Sequence, residues 1–134
     1  MTSTGFTEKS LFKKLKDYFP DLEKAEGTFD SFDCYTETHK TIIELKCRGS
    51  HYPELLIEKV KWDKLAEIRA SQGLGTLYIC STPIGVWAWN LEAVNEPEWS
   101  EKRLPKSTEF GSVEWITKIV GYLHIDKAQP IQFE

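Results

Sequence analysis

Three residues pose the chemical question: Asp33, Glu44 and Lys46. They fall in two short stretches, Phe32-Asp33-Cys34-Tyr35 and Ile42-Ile43-Glu44-Leu45-Lys46, separated by the polar segment Thr36-Glu37-Thr38-His39. The stretches read as two strands joined by a turn. In a strand side chains alternate faces, so Glu44 and Lys46 share one face while Ile43, Leu45 and Cys47 share the other. With Thr38-His39 as a two-residue loop, Glu37 faces Lys40, Tyr35 faces Ile42 and Asp33 faces Glu44. A four-residue loop centred one position earlier sets Asp33 opposite Ile42, with Glu44 as its same-face diagonal neighbour. Either even-length loop brings the two carboxylates onto one face, roughly 5 to 8 Å apart, whereas an odd-length loop turns Asp33 away.

Two carboxylates so placed repel each other unless something positive lies between them. A hard divalent cation such as Mg2+ meets that need, because it prefers oxygen ligands and takes few protein carboxylates. A lysine beside such a cation orients a water or offsets charge developing on a phosphate. The alternative is a solvated hairpin in which Glu44 pairs with Lys46 or Lys40. Glu-x-Lys alone recurs by chance, so the parity of Asp33 is what gives the pattern weight.

Asp33 followed by Glu44-x-Lys46 on the next strand resembles the PD-(D/E)xK nuclease superfamily, the fold of many restriction enzymes, Holliday junction resolvases and phage nucleases. The wording Ser31-Phe32-Asp33 and Ile43-Glu44-Leu45-Lys46-Cys47-Arg48 is similar to small phage-type and resolvase-type members. The resemblance spans roughly residues 8 to 91. It implies that Asp33, Glu44 and the backbone carbonyl of Leu45 hold Mg2+, with Mn2+ as a substitute. It further implies that Lys46 positions the attacking water or stabilises the pentavalent phosphate.

The elements that must position these residues come from a chain of 134 residues, 40% hydrophobic and 13% aromatic. That length suits one domain with a core of its own, from residue 1 to 134, and the composition is that of a globular protein. No run is apolar enough for a membrane helix, and the polar Met1-Thr2-Ser3-Thr4 start does not read as a signal peptide. Cys34, Cys47 and Cys80 lack a Cys-x-x-Cys spacing and read as buried thiols in a reducing cytoplasm. The net charge of −4 opposes strong salt-driven DNA binding. It is unevenly spread: residues 1 to 70 hold 12 Lys+Arg against 13 Asp+Glu.

Thr7 to Phe19 reads as a helix closed by Pro20, with Leu11, Phe12, Leu15 and Phe19 as its apolar stripe. Glu8 extends that stripe, and the family often completes its metal site with a glutamate here. A glutamate favourably placed near a helix N-terminus is the equal alternative. Residues 28 to 35 and 40 to 48 are the expected strands. Glu54 to Ser71 reads as a second helix stopped by Gly73, with Ile57, Val60, Leu65 and Ile68 facing the core. Lys61 interrupts that face. Either its stem covers apolar surface, or its ammonium lies over Glu44 and meets substrate phosphate, as the resemblance suggests. Thr76 to Cys80 is a buried strand, Pro83-Ile84-Gly85 a turn, and Val86 to Leu91 a strand whose Trp87 and Trp89 pack against a helix or stack bases. Residues 95 to 108 read as a loop, Gly111 to Leu123 as a third helix, and the tail from Asp126 as extended.

The expected architecture is an α/β sandwich of the restriction-endonuclease type, a central mixed sheet flanked by helices. Residues 7 to 91 form its core and 95 to 134 an extension. The expected activity is Mg2+-dependent hydrolysis of DNA phosphodiesters, with Arg48 and Lys61 at the DNA backbone. Symmetric cutting of both strands calls for a homodimer. The competing expectation is a nuclease-fold protein that binds DNA or protein without catalysis, which the acidic composition favours.

Overall fold

Thr7 starts the first helix, α1 (Glu8–Leu15), through a reciprocal cap. Its hydroxyl accepts from the Ser10 N–H at 3.1 Å, and the Ser10 hydroxyl accepts from the Thr7 N–H at 2.9 Å. Two otherwise orphaned donors are thereby satisfied. Leu11 and Leu15 are the buried stripe; after Leu15 the chain continues in turns to Tyr18 rather than as helix to Phe19. The computed structural model describes residues 6–25, 33–105 and 114–133. Ser31, Phe32 and most of the expected strand over residues 28 to 35 therefore lie outside the described residues.

The elements that follow are β1 (Glu23–Lys24), β2 (Cys34–Thr36), β3 (Thr41–Cys47), β4 (Glu54–Glu58), α2 (Lys59–Gln72), β5 (Gly75–Thr82) and β6 (Gly85–Asn90). After them come β7 (Ser100–Pro105), β8 (Trp115–His124), a 3-10 turn at Ile125–Lys127 and β9 (Gln129–Ile131). Six strands form one mixed sheet in the order β1-β2-β3-β5-β6-β9, in which only β3 and β5 run parallel. A second sheet, β4-β8-β7, is antiparallel throughout. The protein is thus of α/β class with a mixed sheet and two helices.

The parity of β3 divides the core. Ile43 and Leu45 face the α1 side, where they pack with Leu11, Leu15, Cys34, Ile79 and Val86. Ile42 faces the other side and packs with Trp62 and Leu65 of α2, with Leu55 and Ile57 of β4, and with Tyr78 and Trp89. Glu44 and Lys46, at the parity of Ile42, therefore point between the main sheet and the layer made by α2 and the second sheet. Backbone oxygens of the second sheet tie it to the first, among them those of His124, which accepts from Trp89 Nε1, and Leu56. The Leu56 carbonyl, on the free edge of β4, accepts from Arg48 Nη2 and from the Tyr78 hydroxyl, each at 3.0 Å.

Three stretches differ from the sequence expectation. Glu54 to Glu58 is a strand: Leu55 and Ile57 are buried at period 2, with half-buried Leu56 between them and a glutamate at each end. The helix begins at Lys59, so Ile57 is core through β4, while Val60 is 61% exposed and Trp62 takes its place in the interior. Gly73 does end α2, with a left-handed φ of 67° that favours glycine. Of the expected third helix over 111 to 123, residues 111 to 113 lie outside the described residues and 115 to 123 belong to β8: Ile116, Val120 and Leu123 fall three and four apart, yet the run is rich in β-branched and aromatic residues. It is held by β4 on one edge and β7 on the other. The expected loop over 95 to 108 contains β7, an exposed charged edge strand of the kind that resists further pairing. At Gly121 a side chain would collide with Pro97 and Trp99, which press on β8 there. Among the described residues no helix is long and apolar enough to cross a membrane.

Candidate functional site

The hairpin that carries Asp33 and Glu44 is fixed at its turn. Asp21, in the bend after α1, accepts from the Thr36 hydroxyl at 2.7 Å and from the Thr38 N–H at 2.8 Å. These two bonds hold the Asp21 carboxyl down at about 2. The turn spans Glu37 to Lys40, with Lys40 in the left-handed region at φ 48°. It sets Tyr35 opposite Ile42 and Cys34 opposite Ile43, the register expected of the Thr38-His39 reading.

Continuing that register places Asp33 against Glu44, but the ladder slips first. Cys34 pairs with Ile43, and the Asp33 N–H also donates to the Ile43 carbonyl, at 3.1 Å. Two residues thus face one, the geometry of a β-bulge, which bends the chain and re-aims a side chain. Asp33 Oδ2 accepts from the Leu45 N–H at 2.7 Å. Within a strand a residue's N–H and carbonyl lie on the same edge. The Leu45 carbonyl therefore stands beside the Asp33 carboxylate, past the last β2 pair.

Glu8 approaches this point from the first turn of α1. Together with Phe12, Lys24, Ala25, Asp33 and Leu45 it lines a hollow of about 210 Å³ at the end of the hairpin. Glu8 is solvent-exposed and Asp33 half-buried.

Glu44 lies on the other side of β3 and is buried, its side chain 7% exposed. It shares a narrow hollow of about 20 Å³ with Lys46, Arg48, Glu58, Lys61 and Tyr78. Lys61 Nζ, from α2, is 3.5 Å from Glu44 Oε2. Glu44 Oε1 is buried and has no hydrogen-bond partner among the described residues. Burial and the nearby Asp33 charge push the Glu44 carboxyl up to about 8, against the opposing pull of Lys61 and Lys46. One lysine at 3.5 Å does not offset the loss of water.

Asp33 and Glu44, expected on one face, open instead into separate hollows because the ladder slips at Asp33: Glu8, Asp33 and Leu45 gather toward α1, and Glu44, Lys46, Arg48 and Lys61 toward α2. Lys61 reaches Glu44 although the helix that bears it starts five residues later than expected. Arg48 turns its Nη2 to the Leu56 carbonyl. Among the described residues no three His, Cys, Asp or Glu side chains form a ready-made metal cluster. Searched against family models, curated proteins and solved structures, the chain yields no match.

Neighbouring groups complete the picture. The three cysteines are free thiols: burial pushes Cys34 up to about 12 and Cys80 up to about 11, and Cys47 also rises. Such thiols are poor nucleophiles. Trp89 is core, its Nε1 donating to the His124 carbonyl at 2.9 Å. His51 is half-buried: its ring tilts over Trp87 at 4.8 Å and its Nδ1 meets Thr82 Oγ1 at 2.9 Å. Sequence reasoning missed Tyr78, whose hydroxyl helps dock the second sheet, and Lys24 and Phe12 beside Asp33. Their signal was faint, since each reads as an ordinary core or surface residue.

Proposed function

We propose that the protein is a Mg2+-dependent nuclease of the PD-(D/E)xK type, with a restriction-endonuclease-like sheet, hydrolysing DNA phosphodiester bonds at the end of β3. The observation that carries this reading is the buried Glu44 carboxylate. Its Oε1 lacks a partner among the described residues, and burial, followed by the Asp33 charge, raises its proton affinity. A carboxylate kept from water beside a second one is unfavourable unless a cation shares it. The oxygens at hand are hard donors: Glu44 Oε1, the second oxygen of Asp33, the Leu45 carbonyl and Glu8. They suit Mg2+, or Mn2+ in its place.

When bound, such a cation polarises a phosphoryl oxygen and acidifies a water. The chain's own part is positional. The Leu45 N–H fixes the Asp33 carboxylate, and the bulge at Asp33 turns it toward the Leu45 carbonyl. Lys46, two residues beyond Glu44 on the same face, orients the attacking water or meets charge on the phosphate. Lys61, which pairs with Glu44, would be placed to meet a phosphate oxygen, and Arg48 would flank the DNA backbone. A homodimer supplies two such centres for a double-strand cut.

One observation favours a second reading, a non-catalytic DNA- or protein-binding module on the same fold. Lys61 already pairs with Glu44, and the described acidic side chains do not form a closed cluster. A cleavage panel decides between them. Supercoiled, linear, single-stranded and four-way-junction DNA are incubated with Mg2+ or Mn2+ and either wild-type protein or Glu44→Ala. Metal-dependent cutting that disappears in the variant supports the nuclease. Intact DNA throughout, with a melting temperature indifferent to both metals, supports the binding module.

A further inference from the structure

Beyond the end of β3, residues 48 to 53 and the second sheet border a groove of about 600 Å³, within the size range of sites that seat a ligand group. Arg48 lines this groove and also the narrow hollow that holds Glu44, Lys46 and Lys61. The two spaces thus share a wall. Two aromatic rings border the groove: Tyr52, 62% exposed, and Tyr122, 37% exposed.

The backbone that bears Tyr52 is anchored on both sides, and Tyr122 is fastened through its hydroxyl. The loop before β4 is pinned on either side of Tyr52, by His51 on Trp87 and Thr82 and by the Pro53 carbonyl, which accepts from the Ile125 N–H at 2.9 Å. Tyr122 stands on β8 opposite Leu56, and its hydroxyl accepts from Lys102 Nζ at 3.1 Å. Arg48 and Lys102 set two cations in the lining against one carboxylate, Glu54.

Solvent-facing rings interleaved with cations form a platform for bases with contacts for phosphates. Bases within a duplex are stacked on one another and cannot reach such rings, whereas unpaired bases can. The net charge of −4 also disfavours a site that works by phosphate charge alone. We propose that this groove binds an unpaired DNA strand continuing from the scissile phosphate, with Tyr52 and Tyr122 stacking on its bases and Arg48 and Lys102 on its backbone. The inference rests on the nuclease reading and narrows it: the substrate is DNA with a single-stranded arm.

The test separates binding from cutting. Fluorescence anisotropy with a labelled short oligothymidylate, in EDTA at low salt, reads the groove without any metal. Tyr52→Ala and Tyr122→Ala each weaken binding on the order of tenfold, while Tyr52→Phe, which keeps the ring, binds like wild type. In Mg2+ the same alanine variants lose the preference for an armed duplex over a blunt one. Wild-type protein that does not bind the oligonucleotide, or alanine variants that bind it equally well, overturns the groove. Glu44-dependent cutting of blunt duplex in that case leaves the nuclease reading standing. Tyrosine-dependent binding without Glu44-dependent cutting of any DNA removes the nuclease reading, and with it the groove as a substrate site.

Discussion

On the α1 side of β3, Glu8 and Asp33 border an open hollow of about 210 Å³; on the α2 side, Glu44 and Lys61 close a hollow of about 20 Å³. Both sides bring acid to the same strand, but they treat its charge differently. The open side leaves its carboxylates to water and to backbone donors such as the Leu45 N–H. The closed side withdraws Glu44 from water and answers it with one lysine, and its carboxyl rises to about 8. Burial, rather than the number of charges, separates the two. The open side offers room for a ligand, and the closed side holds an unfavourable charge that a ligand would relieve.

The sharpest break in this comparison is Glu44→Ala. On the nuclease reading it lowers cleavage by at least about 10²- to 10³-fold, the scale of losing one charge-stabilising group. The melting temperature does not drop in parallel, because the residue removed is a strained one. Loss of activity with a matching loss of stability would instead make Glu44 a structural residue.

Asp33 behaves in the opposite way. Asp33→Ala leaves the Leu45 N–H without its acceptor and costs about 1–3 kcal/mol of stability by chemical denaturation. Asp33→Asn keeps an acceptor and recovers most of that, yet stays inactive in the cleavage assay. Equal stability of the two variants would mean that the 2.7 Å bond contributes nothing to the fold.

The pH dependence follows from the sign of the Glu44 shift. The folded carboxyl is raised from 4.5 to about 8, so between those values the folded state holds a proton that the unfolded state has lost. Stability therefore falls as pH climbs through that window and is level above it. In EDTA, Glu44→Gln melts several degrees above wild type at pH 8.5, and the gap closes near pH 4. A constant gap across the range would place the Glu44 carboxyl at its ordinary value.

The smallest effect belongs to Glu8, which is exposed. Glu8→Gln leaves the metal-free stability within about 0.5 kcal/mol of wild type, and shifts the Mn2+-induced rise in melting temperature to about tenfold higher metal concentration. An unchanged Mn2+ titration removes Glu8 from the site.

The hairpin was legible because its signal is local. Tyr35, Ile42 and the polar turn between them left two even-length loops open, and the structure has the register of the Thr38-His39 one. Gly73 and the apolar run from Thr76 to Cys80 were legible for the same reason. The slip at Asp33 was not, since a bulge leaves no mark in residue type. Residues 54 to 58 and 115 to 124 were misread together, and for one cause. Each becomes a strand by pairing with the other, and the spacing of Ile116, Val120 and Leu123 imitates a helix until that distant partner is known. The local reading placed Lys61 near Glu44 despite assigning it to the wrong turn of a longer helix, because α2 crosses back over β3 in either case.

That pairing also bears on the order in which the molecule assembles. The β2–β3 hairpin joins residues close in sequence, and the parallel β3–β5 pair needs only the α2 crossover between Thr41 and Gly75. Glu54, by contrast, meets His124 about 70 residues later, so closing β4 on β8 carries the heaviest loop-closure entropy in the fold. The strand bearing Glu44 and Lys46 thus belongs to the part of the chain able to form early. The Leu56 oxygen, caught by Arg48 and Tyr78, is where the late-forming part locks on, and the groove beside it exists only after that step.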